Sequence, residues 1–250
     1  MGQSRSPLDV VDLELLAARG WRALEEDKVG DWLLRAGGGF TGRANSVLVV
    51  GDPGMPLPDA VDAVARWYAE RGLQPCAQLP GVQSRAAAAA FAAAGWQHGG
   101  DVLVLTAPLG TPPPVEVPVD LSPTPSDAWL AGYRYHGEAL PPVAREVLTS
   151  AEDVVFASVR LDPEPAPLAA VARGVLTDGW LGVTAVTVAE EHRRRGLAGA
   201  VMGALQGWAA ERGAHSGYLQ VTADNTPARA LYRRAGFIEH HRYHYRRLVA

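Results

Sequence analysis

In the stretch "HRRRGLAGA", His192 to Ala200, three arginines stand directly before a glycine and a run of small residues. Ahead of it, "VTAVTV" is rich in β-branched residues and reads as a strand. Behind it, Leu197, Val201, Leu205 and Trp208 recur at helical spacing. At such a strand-to-helix junction the first-turn amides have no intrahelical partners, and the helix carries roughly half a positive charge at that end. Gly196 and Ala198 keep bulk away, so a phosphate can approach the backbone closely. Arginines at a helix N-terminus oppose the dipole, which makes sense mainly where an anion occupies the site. A solvated basic patch is the competing reading. Of 23 basic residues only Lys28 is lysine, so arginine is the default cation of this chain.

Three other groups of residues invite chemistry. "GGGFTG", Gly37 to Gly42, matches a dinucleotide fingerprint, but "RANSVLVVGDP" follows it, a strand and then a proline turn. The fingerprint works only where a helix begins, so a flexible hairpin loop is expected. In "HHRYHYRR", alternation puts His240, Arg242, His244 and Arg246 on one face of a strand and His241, Tyr243, Tyr245 and Arg247 on the other. One face could line a pocket, with histidine as a proton acceptor; a half-exposed terminal strand is the alternative. These histidines lack a supporting carboxylate or cysteine geometry, so no metal site is expected. Cys76 is the only cysteine and reads as a buried, inert thiol.

The elements that position these groups follow from periodicity and punctuation. Helices are expected at about Leu8–Arg19, Pro58–Arg71, an alanine-rich stretch, Ser126–Tyr133, Pro141–Leu148, Arg194–Arg212 and Pro227–Ala235. Strands are expected around Trp21–Leu24, Asp31–Ala36, "SVLVV", a short segment after Arg71, "DVLVLT", "DVVFASVRL", "LAAVARGVL", "WLGVTAVTV", "GYLQVTA" and the terminal histidine run. Thr226 reads as the N-cap of the last helix and Gly236 as its C-terminal stop. Pro108 to Asp127 is loaded with proline and reads as an extended connector.

The two halves are related. A shift of 141 residues carries Trp67, Glu70, Arg71 and Gly72 onto Trp208, Glu211, Arg212 and Gly213, and Ala94-Gly95-Trp96 onto Ala235-Gly236-Phe237. Two helix ends that agree without a gap imply an internal duplication. The expected division is 1–110, a linker at 111–125, and 126–250. Hydrophobic residues make up 48% of the 250, enough for two buried cores. A net charge of -4 argues against a nucleic-acid-coating protein. No apolar run reaches the ~20 residues of a membrane span, and no signal pattern opens the chain; a cytoplasmic protein is expected.

Arg193-x-x-Gly196-x-Ala198, between a strand and an amphipathic helix, resembles the pyrophosphate loop of the GCN5-related N-acetyltransferase (GNAT) superfamily. "VTADNTPARALYRRAGF" resembles that superfamily's later motif, and the whole chain is similar to bacterial two-domain GNAT proteins. The resemblance implies an α/β (α+β) fold of two tandem GNAT-like domains, each a mixed, mostly antiparallel sheet flanked by helices. It also implies acetyl-CoA as cosubstrate and an amine acceptor. The main chain of Val186, Thr187 and Val188 would pair with the pantetheine arm. The amides of Arg193, Arg194, Arg195, Gly196, Leu197, Ala198 and Gly199 would cradle the pyrophosphate. Asn225 would hydrogen-bond the pantetheine, and Tyr232 would sit near the thioester sulfur as general acid.

The sequence departs from the superfamily in one respect. "WLGVTAVTV" lacks the glutamate that often serves as base, which leaves His240, His241, His244 or a chain of waters. An N-acetyltransferase is the favoured reading. A non-catalytic acyl-CoA-binding or regulatory protein and a nucleic-acid binder are the alternatives. In the first copy the loop falls on "GDPGMPL", Asn225 on Ser84 and Tyr232 on Phe91, so that copy is expected to bind no cofactor. The acceptor, the base and the oligomeric state stay open at this level.

Overall fold

Asp9 accepts the Asp12 amide at 2.9 Å and so starts α1 (Val10–Gly20), the first element of a computed structural model that describes residues 8–111, 116–134, 137–163 and 165–249. There follow β1 (Glu25–Val29), β2 (Trp32–Ala36), β3 (Val47–Leu48), α2 (Leu57–Glu70), β4 (Cys76–Pro80), α3 (Arg85–Ala93) and β5 (Gln97–Pro108). The second half contains β6 (Asp120–Ser122), α4 (Asp127–Gly132), α5 (Ala144–Leu148), β7 (Val154–Val159), β8 (Ala170–Thr177) and β9 (Trp180–Val188). It ends with α6 (Leu197–Ala210), β10 (Ser216–Thr222), α7 (Thr226–Arg234) and β11 (Ile238–Arg247).

The chain divides into two compact units. Residues 1–102 and 240–250 form one, and residues 103–239 the other. In the first unit β1 and β2 form an antiparallel hairpin, Glu25 opposite Ala36 and Val29 opposite Trp32. β3 pairs antiparallel with β2 and parallel with β4, and β11 pairs antiparallel with β4, Tyr243 opposite Pro80 and Arg247 opposite Cys76. The core there holds Trp32, Val47, Val61, Val64, Tyr68, Leu79, Phe91 and Trp96. In the second unit β6, β7, β8 and β9 are antiparallel neighbours and β10 runs parallel to β9. Leu181 and Val183 of β9 pack there with Leu197, Val201 and Leu205 of α6 and with Leu219 and Phe237. Each unit is thus a mixed, mostly antiparallel sheet with helices, as the resemblance implied.

The helix-end geometry repeats across the 141-residue shift. Arg71 lies 3.7 Å over the Trp67 ring and donates Nη1 to Trp67 O at 2.9 Å. Arg212 lies 4.7 Å over Trp208 and donates Nη1 to Trp208 O at 3.1 Å. Gly72 and Gly213 both adopt positive φ, 63° and 81°, the left-handed stop that glycine supplies at least cost. Gly95 and Gly236 end α3 and α7 with φ of 82° and 85°. After them, the amides of Trp96 and Phe237 return to Phe91 O and Tyr232 O, each at 3.0 Å.

Three expectations are corrected. Trp21–Leu24 is not a strand; β1 begins at Glu25, and four of its five residues are exposed. A charged edge strand resists unwanted pairing and carries no apolar alternation to betray it. Within the proline-rich stretch, β6 pairs with β7, Asp120 opposite Ser158. The C-terminal strand was expected with the second half, whereas His240–Ala250 belongs to the first compact unit.

Candidate functional site

β9 is paired to β8 along its length, from Thr177 opposite Trp180 to Ala170 opposite Val188, with a register irregularity between Val171 and Arg173. Facing that irregularity, Ala185 has φ of 55°, a left-handed conformation that costs a non-glycine residue about 1–2 kcal/mol. On its other side β9 pairs with β10 only from Trp180/Ser216 to Val183/Leu219. Both strands continue past that point, β9 to Val188 and β10 to Thr222. Beyond the bulge the main chain of Val186, Thr187 and Val188 on the β10 side therefore has no strand partner among the described residues. An extended amide-bearing chain could add itself to that open edge. The one local sign of this bulge is a small, weakly β-forming alanine inside "VTAVTV".

At the end of β9 a single turn at Glu190–His192 leads into the arginines. Arg194 has φ of 62° and Gly196 φ of 78°, so the backbone curls twice through the left-handed region. The His192 and Arg193 amides turn back to Ala189 O and Glu190 O, and Ala200 N donates to Gly196 O at 3.0 Å. Between them, the amides of Arg194, Arg195, Gly196, Leu197, Ala198 and Gly199 have no acceptor among the described residues. A Cβ placed on Gly196 or Gly199 would meet nothing within 4 Å. Room and donors for an anion coincide, at the N-terminus of a 14-residue helix. Arg193 lies 3.8 Å from Glu190 and Arg195 3.2 Å from His192, all on the surface.

On α7 the cap is Asn225, not Thr226: Asn225 Oδ1 accepts the Ala228 amide at 3.1 Å. The Asn225 amide nitrogen stays available as a donor. In the last turn of the helix, Tyr232 packs edge-on against Phe237 at 6.3 Å, with 9% of its surface exposed. Its hydroxyl makes no hydrogen bond among the described residues, and burial pushes its pKa up to about 12. The phenol is therefore a protonated donor throughout the neutral range.

The candidate base histidines lie in the first unit. His241 Nε2 is 2.8 Å from the buried Glu14 Oε1, and Gln78 donates to the other oxygen of that carboxylate at 2.8 Å. His240 Nε2 is 2.9 Å from Leu8 O. His244 is held below the ordinary imidazole range, first by burial and then by His98 and Arg246. The alternation expected of this strand is present, with His241, Tyr243 and Tyr245 buried.

Neither glycine-rich stretch of the first unit offers comparable donors. In "GGGFTG" the Gly37 and Gly39 amides are taken by Asn45 Oδ1 at 2.9 and 2.8 Å, so the loop is tied down rather than flexible, and no helix starts there. In "GDPGMPL" Asp31 and Asp52 side chains take the Asp52 and Gly54 amides, each at 2.8 Å. Its two prolines, Pro53 and Pro56, contribute no donor at all.

Residues 8–246 match the sequence family described as "Probable histone acetyltransferase Rv0428c C-terminal". The chain belongs to this family. A relative 31% identical over 96% of this chain and 80% of its own length is the "Probable histone acetyltransferase Rv0428c" of Mycobacterium tuberculosis. Another, 29% identical over 95% of this chain and 98% of its own, is the "Uncharacterized N-acetyltransferase YobR" of Bacillus subtilis. Among solved structures, a GCN5-related N-acetyltransferase from Kribbella flavida aligns with a TM-score of 0.71 at 18% identity over 98% of this chain and 97% of its own. A tandem GNAT protein from the clavulanic acid biosynthesis pathway aligns at 0.63 and 16% identity, covering 98% and 89%. The family and both relatives are described as acetyltransferases, and the two solved GNAT structures share the fold of this chain.

Proposed function

We propose that the second unit transfers the acetyl group of acetyl-CoA to an amine. The observation that carries this reading is the run of unclaimed amides from Arg194 to Gly199, continuous with the open edge of β9. The pyrophosphate fits the loop because the amides are free and both glycines face open space. The pantetheine arm, itself an amide chain, matches the edge at Val186–Val188, and the Asn225 amide nitrogen can donate to it.

The acceptor nitrogen attacks the thioester carbon, and a strand amide near Val188 stabilises the developing oxyanion. The C–S bond then breaks, and Tyr232 gives its proton to the sulfur. The apolar surroundings that push the phenol to about 12 also disfavour a bare thiolate, so the departing sulfur demands that proton. The nitrogen loses its proton to water or to a base outside β9, which carries no carboxylate. That missing carboxylate favours a second reading, an acyl-CoA-binding protein without turnover. The Mycobacterium relative's name directs attention to lysine side chains of proteins as acceptors.

Calorimetry with acetyl-CoA, followed by thiol release across small amines and lysine peptides, separates the readings. One acetyl-CoA per chain with amine-dependent thiol release supports the enzyme. Binding without release by any amine supports the carrier, and no binding overturns both.

A further inference from the structure

β5 carries the step His98-Gly99-Gly100-Asp101. A regular strand turns successive side chains to opposite faces, so positions three apart should diverge. Here His98 Nε2 stands 3.7 Å from Asp101 Oδ1. The glycine pair between them removes the bulk that would hold a regular pleat. A Cβ at Gly99 would lie 2.9 Å from an Arg247 nitrogen and 3.1 Å from Tyr245 Cβ, so glycine there is what lets β5 approach β11. From β11 His244 joins the pair, its ring parallel to that of His98 within 9° at 4.7 Å. One ligand atom from each of the three side chains lies within 4.8 Å of the others. All three belong to the first unit, which has no part in the proposed acetyl transfer.

Two imidazoles and one carboxylate are the donor set of zinc, cobalt or nickel rather than of magnesium or calcium, which take oxygens. We infer that His98, Asp101 and His244 bind a divalent first-row transition-metal ion. This reverses the expectation of no metal, which rested on the lack of a supporting carboxylate or cysteine geometry around the terminal histidines; the fold supplies a carboxylate from β5. Zinc–nitrogen bonds of about 2.0–2.1 Å require the ligand atoms to draw closer together. The His98 and Asp101 side chains are 54% and 49% exposed and have room to turn inward. Asp101 and His244 also line a cleft of about 480 Å³ with Leu79, Val82 and Arg242. A three-residue set leaves a coordination position for water or for a molecule in that cleft.

The test uses the full chain, tag-free and stripped with EDTA, titrated with Zn²⁺ by calorimetry and with Co²⁺ by visible absorption. One saturable equivalent is expected. His98→Ala, His244→Ala and Asp101→Asn should each weaken it by at least about tenfold, with circular dichroism in EDTA unchanged. His215→Ala, in the other unit, should leave it intact. No saturable uptake, or uptake indifferent to both His98→Ala and His244→Ala, overturns the inference.

Discussion

Tyr232 combines a packing role with a chemical one, and phenylalanine separates them. Tyr232→Phe keeps the edge-on contact with Phe237 and deletes the proton. Folding and acetyl-CoA affinity should hold while turnover falls by roughly 10²-fold; kcat within threefold of wild type at saturating substrate assigns the residue to packing alone. The buried phenols also set an alkaline limit. Tyr68, Tyr232, Tyr243 and Tyr245 are all raised by burial. A folded pKa above the unfolded value near 10 favours the neutral form in the fold. That stability is whole below pH ~10 and drains away as pH rises through the folded values, for Tyr232 between about 10 and about 12. Denaturant midpoints should therefore drop between pH 8 and pH 11, and Tyr232→Phe should show a smaller drop. The loop gives a third contrast. Gly196 sits at φ of 78°, where proline's fixed φ near −65° cannot follow. Gly196→Pro should abolish acetyl-CoA binding, while Arg194→Ala costs only a few-fold. Equal, small losses by calorimetry would mean that side chains, not amides, hold the ligand.

At the scale of elements, α7 shows what one cap can do. Asn225 uses Oδ1 for the Ala228 amide and has its nitrogen to spare. Aspartate caps as well as asparagine but cannot donate. Asn225→Asp should hold thermal stability and lower acetyl-CoA affinity, whereas Asn225→Ala should also lose about 1 kcal/mol of stability. If both variants bind acetyl-CoA like wild type, Asn225 is a cap and nothing more. The sequence carried α7 well because its signals are local: a cap, a proline in the first turn, a glycine stop. It misplaced the cap by one residue because both Asn225 and Thr226 have capping oxygens, and only the backbone decides between them. β1 and β6 were lost for the opposite reason. Each is a short edge strand whose pairing comes from its neighbour rather than from its own charged or proline-flanked residues.

At the scale of the whole molecule, the duplication was legible and the course of the last strand was not. Matching glycine stops at Gly72/Gly213 and Gly95/Gly236 are set within a few residues of chain, so they survive in sequence as an ungapped shift. The pairing of β11 with β4 joins residues some 165 positions apart, and no local pattern records that. It has a consequence for stability. The C-terminal residues carry Tyr243 and Tyr245, 3% and 9% exposed, into the first unit, together with His241 against the buried Glu14. Aromatic side chains bury roughly 150–250 Å² each. At about 25 cal/mol per Å² the two tyrosines represent roughly 7–12 kcal/mol as an upper bound, comparable to the net stability of a whole domain. Deletion would also leave Glu14 without its histidine and the β4 edge unpaired. A chain ending at Glu239 should therefore unfold first near its other end, in residues 8–102. Limited proteolysis read by mass spectrometry should show early cuts between α1 and α3, with fragments spanning residues 103–239 outlasting them. Early cuts confined to residues 103–239 would mean that the first unit does not depend on β11.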